Sequence, residues 1–140
     1  MWKGLLFVTL NPSPPSFSLR ALLDTHAPDL SSFYIHSTAT HHLRCNWKTY
    51  VENYLEGYHI PYMHPSLKAS IQQSQYKVHI HDQLITHEVP TDPKSSVSGF
   101  WAYLWPNTAI NVYGSGMSIE RILPIDTDNT QIHYLYLSRW

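Results

Sequence analysis

His59 and His64 stand five residues apart, and Glu56 precedes the first of them by three, in a stretch that begins Asn53-Tyr54-Leu55-Glu56-Gly57-Tyr58-His59. Neutral imidazoles suit iron, copper, nickel or zinc. With ten histidines in 140 residues, an H-x4-H pair alone carries little information. His36 and His41 repeat the spacing, with His42 and Cys45 close by, but no carboxylate accompanies them on a predicted helix. That group reads as structural or surface residues, with a zinc site as the alternative. On a regular helix His59 and His64 would point about 140° apart, too far for one ion. Pro61 lacks an amide proton and crowds the Gly57 carbonyl, and Gly57 tolerates unusual backbone angles. The expectation is a kink or unwound turn that swings His64 back beside His59. Spacing alone leaves open that both are core or helix-end histidines.

The element that must carry this group is the plainest in the chain. Trp47, Tyr50, Val51, Tyr54, Leu55 and Tyr58 recur at helical spacing and form one apolar stripe, with Asn46 placed as N-cap. A shorter helix is expected over 65–75. Before the main helix, 20–23 suit a helical turn and 33–40 a strand. After it the pattern turns to strands over 76–81, 84–89, 99–105, 109–113, 118–123 and 131–137, the first two forming a hairpin. Helices followed by a run of strands predict an α+β domain whose curved antiparallel sheet wraps a long helix. Trp101, Tyr103 and Trp105 alternate along one strand and would share a face, as ordinary sheet core or as a cage for a trimethylammonium group.

Composition narrows the classes of function. Hydrophobic residues make up 43% and charged residues only 14%, which excludes a disordered chain. The formal charge of -1 comes from scattered residues and gives no footprint for nucleic acid. No apolar run is long enough for a membrane span. The single cysteine, Cys45, excludes an intrachain disulfide, a CxxC pair and any four-thiolate site within this chain, and suits a reducing, cytoplasmic setting. The apolar run 4–10 ends at a segment, 11–18, holding three prolines and three serines. It reads as a buried strand and an exit rather than a secretory leader, an odd opening that suggests a larger architecture.

Asn46-Trp47-Lys48, Glu52-Asn53-Tyr54-Leu55-Glu56-Gly57-Tyr58-His59, and Pro61-Tyr62 with His64-Pro65 resemble the N-W-K, E-N-x2-[DE]-x2-H-x4-H signature of Rieske non-haem iron oxygenase large (alpha) subunits, in their catalytic domain. The resemblance runs from about residue 4 to residue 137. The stretches 98–107, 111–113 and 118–124, and Glu rather than Asp at 56, resemble the choline, glycine betaine and carnitine monooxygenase branch. The resemblance implies a helix-grip (START/Bet v 1-like) fold, incomplete at the C-terminus, with 1–18 as the last strand and exit of the Rieske domain and 19–140 as the first part of the catalytic domain. It implies that His59 and His64 bind mononuclear Fe(II) and that Glu56 relays electrons from a neighbouring subunit's cluster. It places Asn53 behind them and Trp101, Tyr103, Trp105, Asn111 and Tyr113 in the substrate pocket. O2, a small quaternary ammonium substrate, a ferredoxin or reductase and a homotrimer are implied for the full-length protein. So is a [2Fe-2S] Rieske cluster, whose C-x-H and C-x2-H pairs are not in this chain. The family's third iron ligand is an Asp further downstream, and Asp126 and Asp128 are not promoted to that role. The expectation is therefore a fragment that does not turn over alone. The alternatives are a non-catalytic aromatic-cavity binding module and a truncated product without independent function.

Overall fold

A helix with one apolar stripe needs a surface to cover, and in the computed structural model it finds an antiparallel sheet. The structure describes residues 8, 10, 21, 32–70, 76–81, 83–89, 99–113 and 116–140. Strand β1 (Phe33–Leu43) leads to helices α1 (Trp47–Leu55), α2 (Ile60–Met63) and α3 (Pro65–Ser70). Six strands follow: β2 (Lys77–His81), β3 (Leu84–Val89), β4 (Gly99–Leu104), β5 (Thr108–Tyr113), β6 (Gly116–Pro124) and β7 (Thr130–Arg139). They form one sheet in the order β1-β7-β6-β5-β4-β3-β2. Every pairing is antiparallel, so each strand from β3 onward returns beside its predecessor while β1 pairs with β7 and β2 forms the opposite edge.

The central strands are buried on both faces. One face packs Leu84, Phe100, Ala102, Ile110, Val112, Met117 and Ile119. The other carries the helices: Val51 of α1, only 4% exposed, lies on Tyr103, Ala109 and Ile122, flanked by Trp47, Tyr50, Tyr54 and Leu55. A second cluster on that face joins Ile60 of α2 to Val89 and Trp101. Asn46 caps α1 as expected, its Oδ1 accepting from the Lys48 amide at 3.0 Å, while its Nδ2 donates to the Thr127 carbonyl at 2.7 Å and ties the helix start to the β6–β7 turn. Asp126 closes that turn by accepting from the Asp128 amide and Asn129 Nδ2.

The α+β architecture and the antiparallel sheet match the sequence reading, and three details differ. The helix stops at Leu55, and Tyr58, assigned to its stripe, is 85% exposed. The cause is Glu56, which leaves helical geometry (φ -112°, ψ 161°) and turns its carboxylate to the amides of Tyr58 and His59, giving those donors a partner other than the preceding turn. Strand β4 ends at Leu104, so Trp105 falls in the turn that follows, 54% exposed, its ring 5.9 Å from that of Trp47. Of the expected opening strand only Val8 and Leu10 are described, and both are exposed rather than buried. The helical turn over 20–23, apart from Ala21, and the end of the helix expected through Gln75 lie outside the described residues. Among the described residues no helix is long and apolar enough to cross a membrane.

Candidate functional site

The backbone break after α1 brings the two histidines together. His59 sits at the N-cap of α2 and His64 at its C-cap, so they bracket a single turn, and His64 has left helical geometry (φ -126°, ψ 71°). The ring centroids are 5.1 Å apart at 75°. The unwinding lies at Glu56–Tyr58, upstream of Pro61. Pro61 does not kink a helix; it stands in the first turn of a new one, where a missing amide proton costs nothing. Amides of Tyr62 and Met63 donate to the His59 carbonyl, and the His64 amide to that of Ile60, which fixes the turn between the rings.

Glu56 accepts from the His59 ring at Nδ1 and from the Tyr58 and His59 amides. Desolvation pushes its pKa up, but these hydrogen bonds outweigh it and hold the carboxyl below its ordinary value. With the Nδ1 proton committed to Glu56, His59 presents the Nε2 lone pair outward, the tautomer of a metal ligand. This donor set fits two positions of an iron site. Among the described residues no group of three or more His, Cys, Asp or Glu is arranged to hold a metal. Asn53 is exposed on α1 and is not brought to these residues. His36, His41 and His42 lie exposed along the edge strand β1, with His41 edge-on to Tyr134.

Behind the pair lies a residue the sequence reading passed over. His87 on β3 is 1% exposed, its Nδ1 bound to the Tyr76 hydroxyl and its Nε2 without a partner. Tyr54, Tyr76 and Trp101 surround the ring with centroids 6.0, 5.7 and 6.3 Å away. Burial pulls its pKa down to about 4, against a smaller opposing pull from Glu56. His87 is therefore neutral at neutral pH, and Tyr76, pushed up to about 12 by burial, keeps its proton. A Cβ at Gly57 would run into the Tyr76 ring, so glycine is what lets the Glu56 turn lie against this pair. We expect Gly57→Ala to displace Tyr76 from His87 and to cost about 1–3 kcal/mol. Urea unfolding would measure the loss, and a shift of the His87 ring resonances in NMR would locate it.

A groove of about 610 Å³ opens on the helix-bearing face of β5, β6 and β7. Asn111 and Tyr113 line it; Trp101, Tyr103 and Trp105 do not. Trp101 and Tyr103 do share that face but are packed under α1 and α2 as core, and the Tyr103 hydroxyl donates to the Pro106 carbonyl. Glu120 stands at the floor of the groove. Its carboxylate accepts from the Tyr50 hydroxyl at 2.8 Å and from Asn111 Nδ2 at 2.7 Å. Tyr54 donates to Asn111 Oδ1 at 2.7 Å, so two residues of α1 are bonded to one network. Burial raises the Glu120 pKa, and the hydrogen bonds from Tyr50, Asn111 and Tyr134 offset part of that rise. The one signal in the sequence was Glu120 sharing a strand face with Ser118 and Ile122, a weak one where both faces of a strand are buried.

Residues 30–96 match the family model of the ring hydroxylating alpha subunit (catalytic domain). Those residues are a little under half of the chain, and over them it is similar to that family. The chain is 31% identical to choline monooxygenase, chloroplastic, of Arabidopsis thaliana, over 66% of this chain and 24% of that protein. It is 28% identical to the carnitine monooxygenase oxygenase subunit of Escherichia coli (strain K12), over 95% of this chain and 40% of that protein. The quaternary ammonium Rieske monooxygenase CntA, solved in complex with its substrate L-carnitine, superposes with a TM-score of 0.81 at 21% identity, covering 98% of this chain and 39% of that one. The chain thus spans 24% and 40% of the length of these two curated relatives. The sheet and helices described above have the fold of the Rieske oxygenase catalytic domain.

Proposed function

We propose that this chain supplies the two-histidine part of the mononuclear Fe(II) centre of a Rieske-type monooxygenase that hydroxylates or demethylates a quaternary ammonium compound of the choline, glycine betaine or carnitine type. The observation that carries the reading is the His59–His64 pair with rings 5.1 Å apart and Glu56 on the far nitrogen of His59. In this reading His59 and His64 offer their Nε2 atoms to the metal, and Glu56 holds His59 in the ligating tautomer. Iron, when bound, supplies the means to activate O2 for hydroxylation of a C–H bond beside the nitrogen. An N-methyl group so hydroxylated leaves as formaldehyde, with the demethylated amine as second product. The third ligand is assigned to an Asp outside these residues. In the full-length protein Glu56 would stand on the path of electrons from the Rieske cluster of a neighbouring subunit, in a homotrimer served by a ferredoxin or reductase in the cytoplasm. The curated relatives support the substrate class: they are named for choline and for carnitine.

A full-length parent enzyme, given its reductase and NAD(P)H, is expected to release an aldehyde from at least one of choline, glycine betaine and carnitine, while the 140-residue chain alone releases none. Failure of the full-length protein on all three would overturn the substrate class. Turnover by the 140-residue chain would overturn its reading as an inactive part.

A further inference from the structure

No residue between Val51 and Ile60 is fully buried, so the turn from Glu56 to Tyr58 supplies no buried anchor of its own. Its task is nevertheless exacting. The Glu56 carboxylate, 33% exposed, has to stay on Nδ1 of His59 while water competes for both groups. Support comes from Tyr76, whose ring fills the space that Gly57 leaves by having no side chain. Tyr76 stands just before the β2–β3 pairing, which begins at Lys77, and its hydroxyl is bonded to Nδ1 of His87. His87 is a fixed point, 1% exposed and placed across the sheet from Val78 and Trp101. Among the described residues its other nitrogen, Nε2, has no partner. An unpaired polar atom in a core costs stability, and a leucine at this position would avoid that cost. What leucine cannot supply is a directed partner for the Tyr76 hydroxyl.

We infer that Tyr76 and His87 are positioning residues for His59: the buried imidazole fixes the Tyr76 ring, the ring supports the turn at Gly57, and the turn keeps Glu56 on Nδ1 so that His59 presents Nε2 outward. Both act through Glu56. A neutral imidazole carries its one N–H proton on either nitrogen, and a carboxylate selects Nδ1 only while it stays within hydrogen-bond reach. A loosened turn lets the proton move to Nε2, where it occupies the lone pair that a metal needs. The use of that lone pair for iron rests on the proposed function; the control of the tautomer does not.

The test reads the proton itself, by 15N NMR of the histidine rings in the metal-free 140-residue chain at about pH 8, where an ordinary imidazole is neutral. The wild type is expected to hold His59 as the Nδ1–H tautomer, and Tyr76→Phe and His87→Leu each to raise the share of the Nε2–H form about threefold or more. Ile119→Ala, which opens a cavity on the opposite face of the sheet, is expected to leave the ratio unchanged. An even mixture in the wild type, an unchanged ratio in either folded variant, or an equal shift in Ile119→Ala overturns the inference. Where His87→Leu does not fold, Tyr76→Phe decides alone, since it removes one oxygen and keeps the ring. Anaerobic addition of Fe(II) separates this inference from the proposed function. The expected tautomers in a wild-type chain that binds no Fe(II) would sink the iron reading and leave the positioning of His59 standing. A wild-type chain that binds Fe(II), with a tautomer ratio indifferent to Tyr76→Phe, would do the reverse.

Discussion

Anaerobic titration with Fe(II) is expected to show one site per chain that is lost, by about a hundredfold or more in affinity, in His59→Ala and in His64→Ala. His36→Ala and His41→Ala are expected to bind as the wild type does. The two pairs have the same spacing in the sequence, so the contrast isolates what the fold adds. His59 and His64 bracket one helical turn with their rings 5.1 Å apart, whereas His36 and His41 lie along an edge strand. Glu56→Ala is expected to fall between the two cases, weakening iron about 10–100-fold, because the carboxylate fixes the His59 ring without touching the metal. Equal loss from both histidine pairs, read by titration calorimetry, would remove the basis for the assignment.

Stability should fall steeply with mild acid, and His87 is the reason. Its folded-state pKa of about 4 lies below the ordinary histidine value near 6.5, so between those limits the unfolded chain takes up a proton that the folded chain refuses. Stability is therefore highest above about pH 6.5 and is lost as pH falls toward 4, by about 3 kcal/mol in all. Two other groups also bear on the pH dependence. Glu120, raised by burial, contributes the opposite sign, since its folded form holds a proton that the unfolded chain releases above the ordinary carboxylate range. Glu56, lowered by its hydrogen bonds, adds acid sensitivity only below that range. Comparing urea unfolding of the wild type and His87→Gln at pH 7 and pH 5 cancels both. The variant should lose the part of the slope due to His87, about 2 kcal/mol over that interval. Equal slopes would mean that His87 is not held neutral in the fold.

The start of α1 was readable from its sequence because a capping Asn and an apolar stripe are local signals. Its end was not. Tyr58 continues the spacing, and what ends the helix is a carboxylate two residues earlier that captures the next amides. The strands were readable from β-forming runs between turns, but not which face of each carries function. Strand β6 is buried on both sides around Glu120, and on β3 the adjacent residues Thr86 and His87 are both buried, so neither Glu120 nor His87 has an alternation that marks it as inward. Trp105 shows the same limit from the other direction: a period of two holds only while the strand lasts, and β4 ends one residue before it. The histidine pair drew attention through its setting and its family resemblance. The expectation of a break near Gly57 and Pro61 was right in result and wrong in agent, since Glu56 makes the break and Pro61 begins the helix that follows.

The most direct test of the central claim is a crystal of the Fe(II)-loaded protein measured at the iron absorption edge. The account predicts one anomalous peak bonded to Nε2 of both His59 and His64, with Glu56 on Nδ1 of His59. Iron bonded instead to His36, His41 or His42, or no peak between His59 and His64, would contradict it.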